Sequence, residues 1–109
     1  MLENPLACAR YDKYPVSRGH LLIIPRRHVA DWFDLAAAEQ RAVLELATAA
    51  RDLLQHEFAP DGFNLGVNVG AAAGQTIFHV HLHMIPRYRG DVAQPRGGVR
   101  AVIPDRQQY

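Results

Sequence analysis

The stretch Ile77-Phe78-His79-Val80-His81-Leu82-His83-Met84-Ile85 alternates between two kinds of side chain. Val80, Leu82 and Met84 share one parity; His79, His81 and His83 share the other. A period of two belongs to an extended strand, whose successive side chains point to opposite faces of a sheet. One face suits a core and the other carries three imidazoles in a row. The pattern predicts a strand over residues 77–85. The rest of the chain must supply neighbours for that strand and a cover for its apolar face.

The preceding segment supplies a neighbour. Over residues 63–69, Phe63, Leu65, Val67 and Val69 alternate with Asn64, Gly66 and Asn68. The link Gly70–Thr76 is short enough for an antiparallel hairpin. If both apolar faces point at one core, parity permits Asn68 opposite His79 and Gly66 opposite His81. A slip of one residue is forbidden, because it would bury the histidines. A glycine across from the middle histidine would leave room for a ligand.

The cover is a helix predicted from Ala36 to Phe58. That segment is rich in Ala, Leu, Glu, Gln and Arg, all good helix formers. Val43, Ala47, Ala50, Leu54 and Phe58 make one apolar stripe, widened by Leu46 and Leu53. Ala59-Pro60-Asp61-Gly62 stops it. Asp31–Leu35 reads as a short helical turn before it. Upstream, Leu6–Tyr11 is a weaker strand and His20–Ile24 a clearer one, apolar on both faces and closed by Pro25. Asp12–Pro15 and Ser17–Gly19 form a turn-rich connection between them. From Tyr88 onward, prolines and Gly97-Gly98 predict extended loop, with Val99–Ile103 as a short edge strand.

Length and composition bound the possibilities. The 109 residues fit a single domain over 1–109, and 49 % apolar with 21 % charged residues is ordinary for a globular chain. A formal charge of +1 gives no bulk attraction to nucleic acid or membrane, and neither is expected as a partner. Cys8 is the only cysteine, which excludes an internal disulfide and a cysteine-based zinc site. No apolar run nears the roughly 20 residues of a membrane span. There is no signal-peptide pattern, and the expected compartment is the cytoplasm.

Three histidines on one strand face admit three readings. They are an accident of a polar face, ligands for a metal, or reaction chemistry. A strand rises roughly 3.3 Å per residue, so His79 and His83 lie about 13 Å apart at their backbones. One ion with a tight tetrahedral shell would struggle to reach all three, so no metal and no cofactor are assigned. The third reading makes His81 a nucleophile. A neutral imidazole attacks phosphorus well and also leaves well, dividing one displacement into two easier ones. His79 and His83 flank it, placed to meet a phosphate bound over it; if protonated, they can stabilise the charge on its oxygens and protonate a leaving group. The loop Gly70–Thr76 fits an anion, since two glycines allow close backbone approach and Gln75 and Thr76 add side-chain donors. Alone, that loop reads better as an ordinary flexible hairpin loop; it is the histidine strand beside it that favours phosphate contact.

The run His79–Ile85 resembles the histidine triad family, with histidines alternating with apolar residues and two further apolar positions after them. Gly19-His20-Leu21-Leu22-Ile23-Ile24-Pro25-Arg26-Arg27-His28, Asp61–Asn64 and Ala73–Thr76 are similar to it as well, so the likeness covers roughly residues 6–103. The resemblance implies an α+β fold, an antiparallel sheet of about five strands packed against one long helix, commonly paired as a homodimer. It implies that His81 is the residue that becomes nucleotidylated, with His79 and His83 as partners and His20 supporting them from a neighbouring strand. Asp12 falls at the ribose-binding position, Asn68 and Thr76 near the substrate phosphate, and the nucleobase against apolar side chains of the first two strands. The implied activity is hydrolysis or transfer at a nucleotide α-phosphate. A dinucleoside polyphosphate is the leading substrate and a nucleoside phosphoramidate the alternative. A nucleotide-binding module without turnover and a metal-dependent hydrolase are the readings from other classes.

This sequence departs from the family pattern in two places. The single cysteine cannot supply the N-terminal pair that holds structural zinc in some relatives. Arg18 stands where proline is common, which loosens the expected turn before His20. His28 is read as surface or structural and His56 is given no role. Arg87, Arg89, Arg96 and Arg100 are either contacts for distal phosphates or scattered surface charges.

Overall fold

A computed structural model describes residues 1–109. Five strands form one antiparallel sheet: β1 (Leu2–Glu3), β2 (Ala7–Tyr11), β3 (Leu21–Pro25), β4 (Gly62–Val67) and β5 (Leu82–Arg87). Their order across the sheet is β1-β2-β3-β5-β4, so the last strand in sequence sits between β3 and β4. One long helix, α1 (Ala37–Phe58), packs on β1, β2, β3 and β5. It is not apolar enough to cross a membrane. The α+β architecture is as expected.

The core follows from the two periodicities. Ala7 and Ala9 of β2, Leu21 and Ile23 of β3, and Leu82 and Met84 of β5 face Val43, Leu46, Ala47, Ala50 and Leu54 of the helix. Alanines on both surfaces let helix and sheet approach closely. A smaller cluster joins Val29, Leu35 and Val80 at one end. The helix starts on a built cap, with the Ala36 N–H donating to Glu39 Oε1 at 2.9 Å. Arg27 grips both oxygens of the buried Glu39, at 2.8 and 3.1 Å. That grip holds the Glu39 carboxyl below the usual carboxylate range. Ala59 ends the helix in the left-handed region at φ 48°, immediately before Pro60.

Four expectations need correction. The strand expected over 77–85 runs from Leu82 to Arg87, and residues 77–79 bend instead. The Val80 N–H is taken by Val29 O at 2.8 Å, which ties this lead-in to the segment after β3 instead of to β4. Consequently residues 68–81 form a long connection in place of a tight hairpin, with a 3-10 turn at Ala71–Ala73. The register keeps its parity but shifts by two residues, so Gly66 pairs with His83 and not with His81. The strand expected at Val99–Ile103 is a 3-10 turn, Gly98–Val102. Gly97 and Gly98 both take positive φ there, and Arg100 donates to the carbonyls of Arg106 and Gln107, closing the tail on itself. The fifth strand is the unforeseen Leu2–Glu3, which pairs with Ala9 and Cys8.

Candidate active site

Side chains of even parity on β2 and β3, and of odd parity on β5, point away from the helix. The register sets Cys8 beside Ile24, Arg10 beside Leu22, Leu22 beside His83, and His83 beside Gly66. On this open face lies a cavity of about 730 Å³. Its wall includes Asp12, Asn68, Gln75, Thr76, His79, His81 and His83. All the expected site residues except His20 therefore line a single space of small-ligand size.

His20 stands behind that wall, 3 % exposed, and its hydrogen bonds decide a tautomer. Its Nδ1 accepts the Val16 N–H at 3.1 Å, so in the neutral ring the proton sits on Nε2. That Nε2–H donates to His83 Nδ1 at 3.0 Å. His83 must then carry its own proton on Nε2, where no protein group takes it. The His81 ring lies next to it, with centroids 4.9 Å apart.

His81 is set in the opposite sense. Its Nδ1 lies 2.9 Å from His79 O. A carbonyl oxygen can only accept, so Nδ1 bears the proton and Nε2 keeps the lone pair. His79 in turn donates from Nε2 to Pro25 O at 2.8 Å. Side by side, the start of β5 and the residue before it thus present an acceptor nitrogen on His81 and a donor nitrogen on His83. Burial pushes His83 below the ordinary histidine value, and the neighbouring His81 and His20 push the same way. Burial also lowers His20, against the pull of Asp12. Both rings are therefore neutral at pH 7.

Asp12 accepts the Tyr14 N–H on Oδ1 at 2.9 Å, and its Oδ2 lies 3.6 Å from His20 Nε2. Asp12, His20 and His83 bring ligand atoms within 4.8 Å of one another, close enough to suggest a metal. The Val16 N–H argues against it. A histidine that binds metal through one nitrogen donates a proton from the other. Here the other nitrogen of His20 faces a donor, so the Nε2 lone pair is free only if the ring loses both protons or the Val16 bond breaks.

Gln75 differs from its sequence reading. It is buried, and every polar atom of its side chain is engaged inside the protein. Oε1 accepts the Gly70 N–H at 2.9 Å, while Nε2 donates to Ala30 O at 2.7 Å and Ile77 O at 3.3 Å. Its amide ties the loop together and has no donor left for a ligand. Thr76 and Asn68 are exposed on the cavity wall.

Other groups fall outside the reading made from sequence. The His28 ring is exposed, and it stands edge-on to His79 with centroids 4.7 Å apart. Cys8 and Arg10 line the cavity; the signal was present in their alternation with the buried Ala7 and Ala9. Arg18 is held in place despite the missing proline, since the Tyr88 hydroxyl donates to its carbonyl at 2.7 Å. Arg87 is bound to Asp91 and Asn64, and Arg96 and Arg100 stack on Tyr109.

An antiparallel sheet backed by one helix, with three alternating histidines on its open face, defines a class of protein. The HIT domain family model matches residues 1–90, and the chain belongs to that family. An uncharacterised HIT-like protein of Mycoplasma genitalium is 42 % identical over 86 residues, covering 79 % of this chain and 61 % of the relative. An AP-4-A phosphorylase of Mycobacterium tuberculosis is 34 % identical over 90 residues, covering 82 % of this chain and 46 % of the relative. The chain thus spans between about half and three-fifths of the length of these relatives. A crystal structure of a HIT family protein from Bacillus anthracis superposes with a TM-score of 0.79 at 38 % identity, covering 84 % of this chain and 64 % of that one.

Proposed function

We propose that this chain is a nucleotide hydrolase or transferase that works through a nucleotidyl-histidine at His81. One observation carries the reading: the Nδ1–H of His81 is committed to His79 O, which leaves the Nε2 lone pair on a cavity large enough for a nucleotide. In the first step Nε2 bonds to the α-phosphorus and the bond from phosphorus to the leaving oxygen or nitrogen breaks. His83 Nε2–H is the donor placed to hydrogen-bond the departing atom as its charge develops, and His20 holds that tautomer. In the second step water attacks the same phosphorus, the N–P bond breaks and the proton that water loses passes to solvent, releasing a nucleoside monophosphate and restoring neutral His81. Asp12 is assigned to the ribose hydroxyls, and Asn68 and Thr76 to the phosphate. No metal or cofactor enters the scheme.

A dinucleoside polyphosphate, the class that includes diadenosine tetraphosphate, is the favoured substrate. Support comes from the family resemblance and from the name of the mycobacterial relative. A nucleoside phosphoramidate is the alternative. A homodimer is in keeping with the open edge of β4, which has a strand on one side only. The test is product analysis with both substrate classes in excess chelator, combined with mass spectrometry after an alkaline quench. A nucleotide adduct on His81 and release of nucleoside monophosphate are expected. Tight binding with neither would overturn the enzymatic reading in favour of a binding module.

A further inference from the structure

β2 places one side chain in the cavity that this scheme leaves without a task. Arg10 is exposed on the open face, directly across from Leu22, which in turn neighbours His83. A second arginine on the cavity wall, Arg26, is occupied: it donates to Asn4 O at 3.1 Å and lies 3.3 Å from Glu3. Arg10 has no carboxylate partner and donates no side-chain hydrogen bond within the chain. Beside it, Cys8, Leu22 and Ile24 are half-buried and form an apolar floor on two adjacent strands. A flat ring laid on that floor has the free guanidinium at its rim.

Arginine offers only donors, in a planar fork of parallel N–H groups. A guanine presents O6 and N7 as adjacent acceptors and satisfies two of them at once. An adenine replaces O6 with an amino donor, so the same fork meets a like group and loses a bond. We propose that Arg10 is a specificity-determining residue that selects guanine over adenine in the nucleotide cavity. The inference rests on the nucleotide reading of that cavity.

The experiment measures kcat/KM with diguanosine and diadenosine tetraphosphate, and separately the affinity for GMP and AMP by calorimetry. The wild-type chain is expected to favour the guanylated member of each pair by about 10- to 100-fold. Arg10→Leu is expected to bring the two within about threefold, by weakening the guanylated member alone, and Arg10→Lys to retain only part of the preference. Circular dichroism checks that the exposed substitution leaves the fold intact. An equal loss on both bases would make Arg10 a phosphate contact and overturn the assignment. A wild-type preference for adenine, or no binding of either monophosphate, would also overturn it. Arg10-dependent preference for GMP without turnover of either tetraphosphate would instead remove the hydrolase reading and leave this one standing.

Discussion

Replacing Gln75 by alanine separates two roles for one side chain. If its amide reaches the substrate, the fold is indifferent and KM rises. The structure directs all three of its hydrogen bonds inward, so Gln75→Ala should lower stability. A net intramolecular hydrogen bond contributes about 1 kcal/mol. The bonds at 2.7 and 2.9 Å count in full, and the one at 3.3 Å counts for less. Water can reach the Ala30 carbonyl, because Ala30 is exposed, so little is added for an orphaned acceptor there. The sum is about 2–3 kcal/mol, and at this chain length about 10–20 °C in Tm. Urea denaturation followed by circular dichroism measures it. Gln75→Glu supplies the control. It keeps the shape and the acceptor for Gly70 but turns an oxygen toward the carbonyls of Ala30 and Ile77. It should cost at least as much as alanine. A loss below about 0.5 kcal/mol in both variants, with KM raised, would refute this assignment.

Other outcomes follow from the same geometry. His81→Gly should lower the rate by at least about four decades, roughly 5 kcal/mol of barrier, in a discontinuous assay of nucleoside monophosphate release. Leu54→Ala removes a side chain that is fully buried against the sheet and should cost about 3 kcal/mol in chemical denaturation. Gly19→Ala combines a φ of +85° with a new Cβ 2.9 Å from Phe58 Cδ2, and should destabilise by about 1–3 kcal/mol. Burial holds His20 and His83 below the ordinary value of about 6.5 in the folded chain, so below that pH the unfolded chain binds protons first. Their contribution should be complete above about pH 6.5 and fall as the pH drops toward the folded values. Urea midpoints in chelator at pH 7.5 and 5.5 test the sign; a higher midpoint at 5.5 would contradict it.

The parts of this fold legible in the sequence are those where one residue type repeats at one period. The stripe of Val43, Ala47, Ala50 and Leu54 set the helix, and the parity of Val80, Leu82 and Met84 kept the histidines off the core. Parity does not count residues, however. A shift of two leaves every face unchanged, and so Gly66 came to His83 instead of His81. That shift is governed by the Val80–Val29 hydrogen bond and by the Gln75 amide, contacts between segments distant in sequence. The polar character of Gln75 was visible, but the direction of its amide was not. The tautomer logic was equally hidden, because it depends on a single backbone donor, the N–H of Val16. β1 is two residues long and carries too little pattern to register.

The position of β5 has a consequence for how the molecule comes into being. The strand that bears His83 is the last to emerge during synthesis, yet it is inserted between two strands that precede it. Until Arg87 has left the ribosome, β3 has no partner on one side and β4 has no partner at all. A chain stopped short of β5 lacks the strand on which His83 sits and the partner that Gly62–Val67 pairs with. Under the proposed scheme, a product interrupted before the closing strand slots into the gap should be inert.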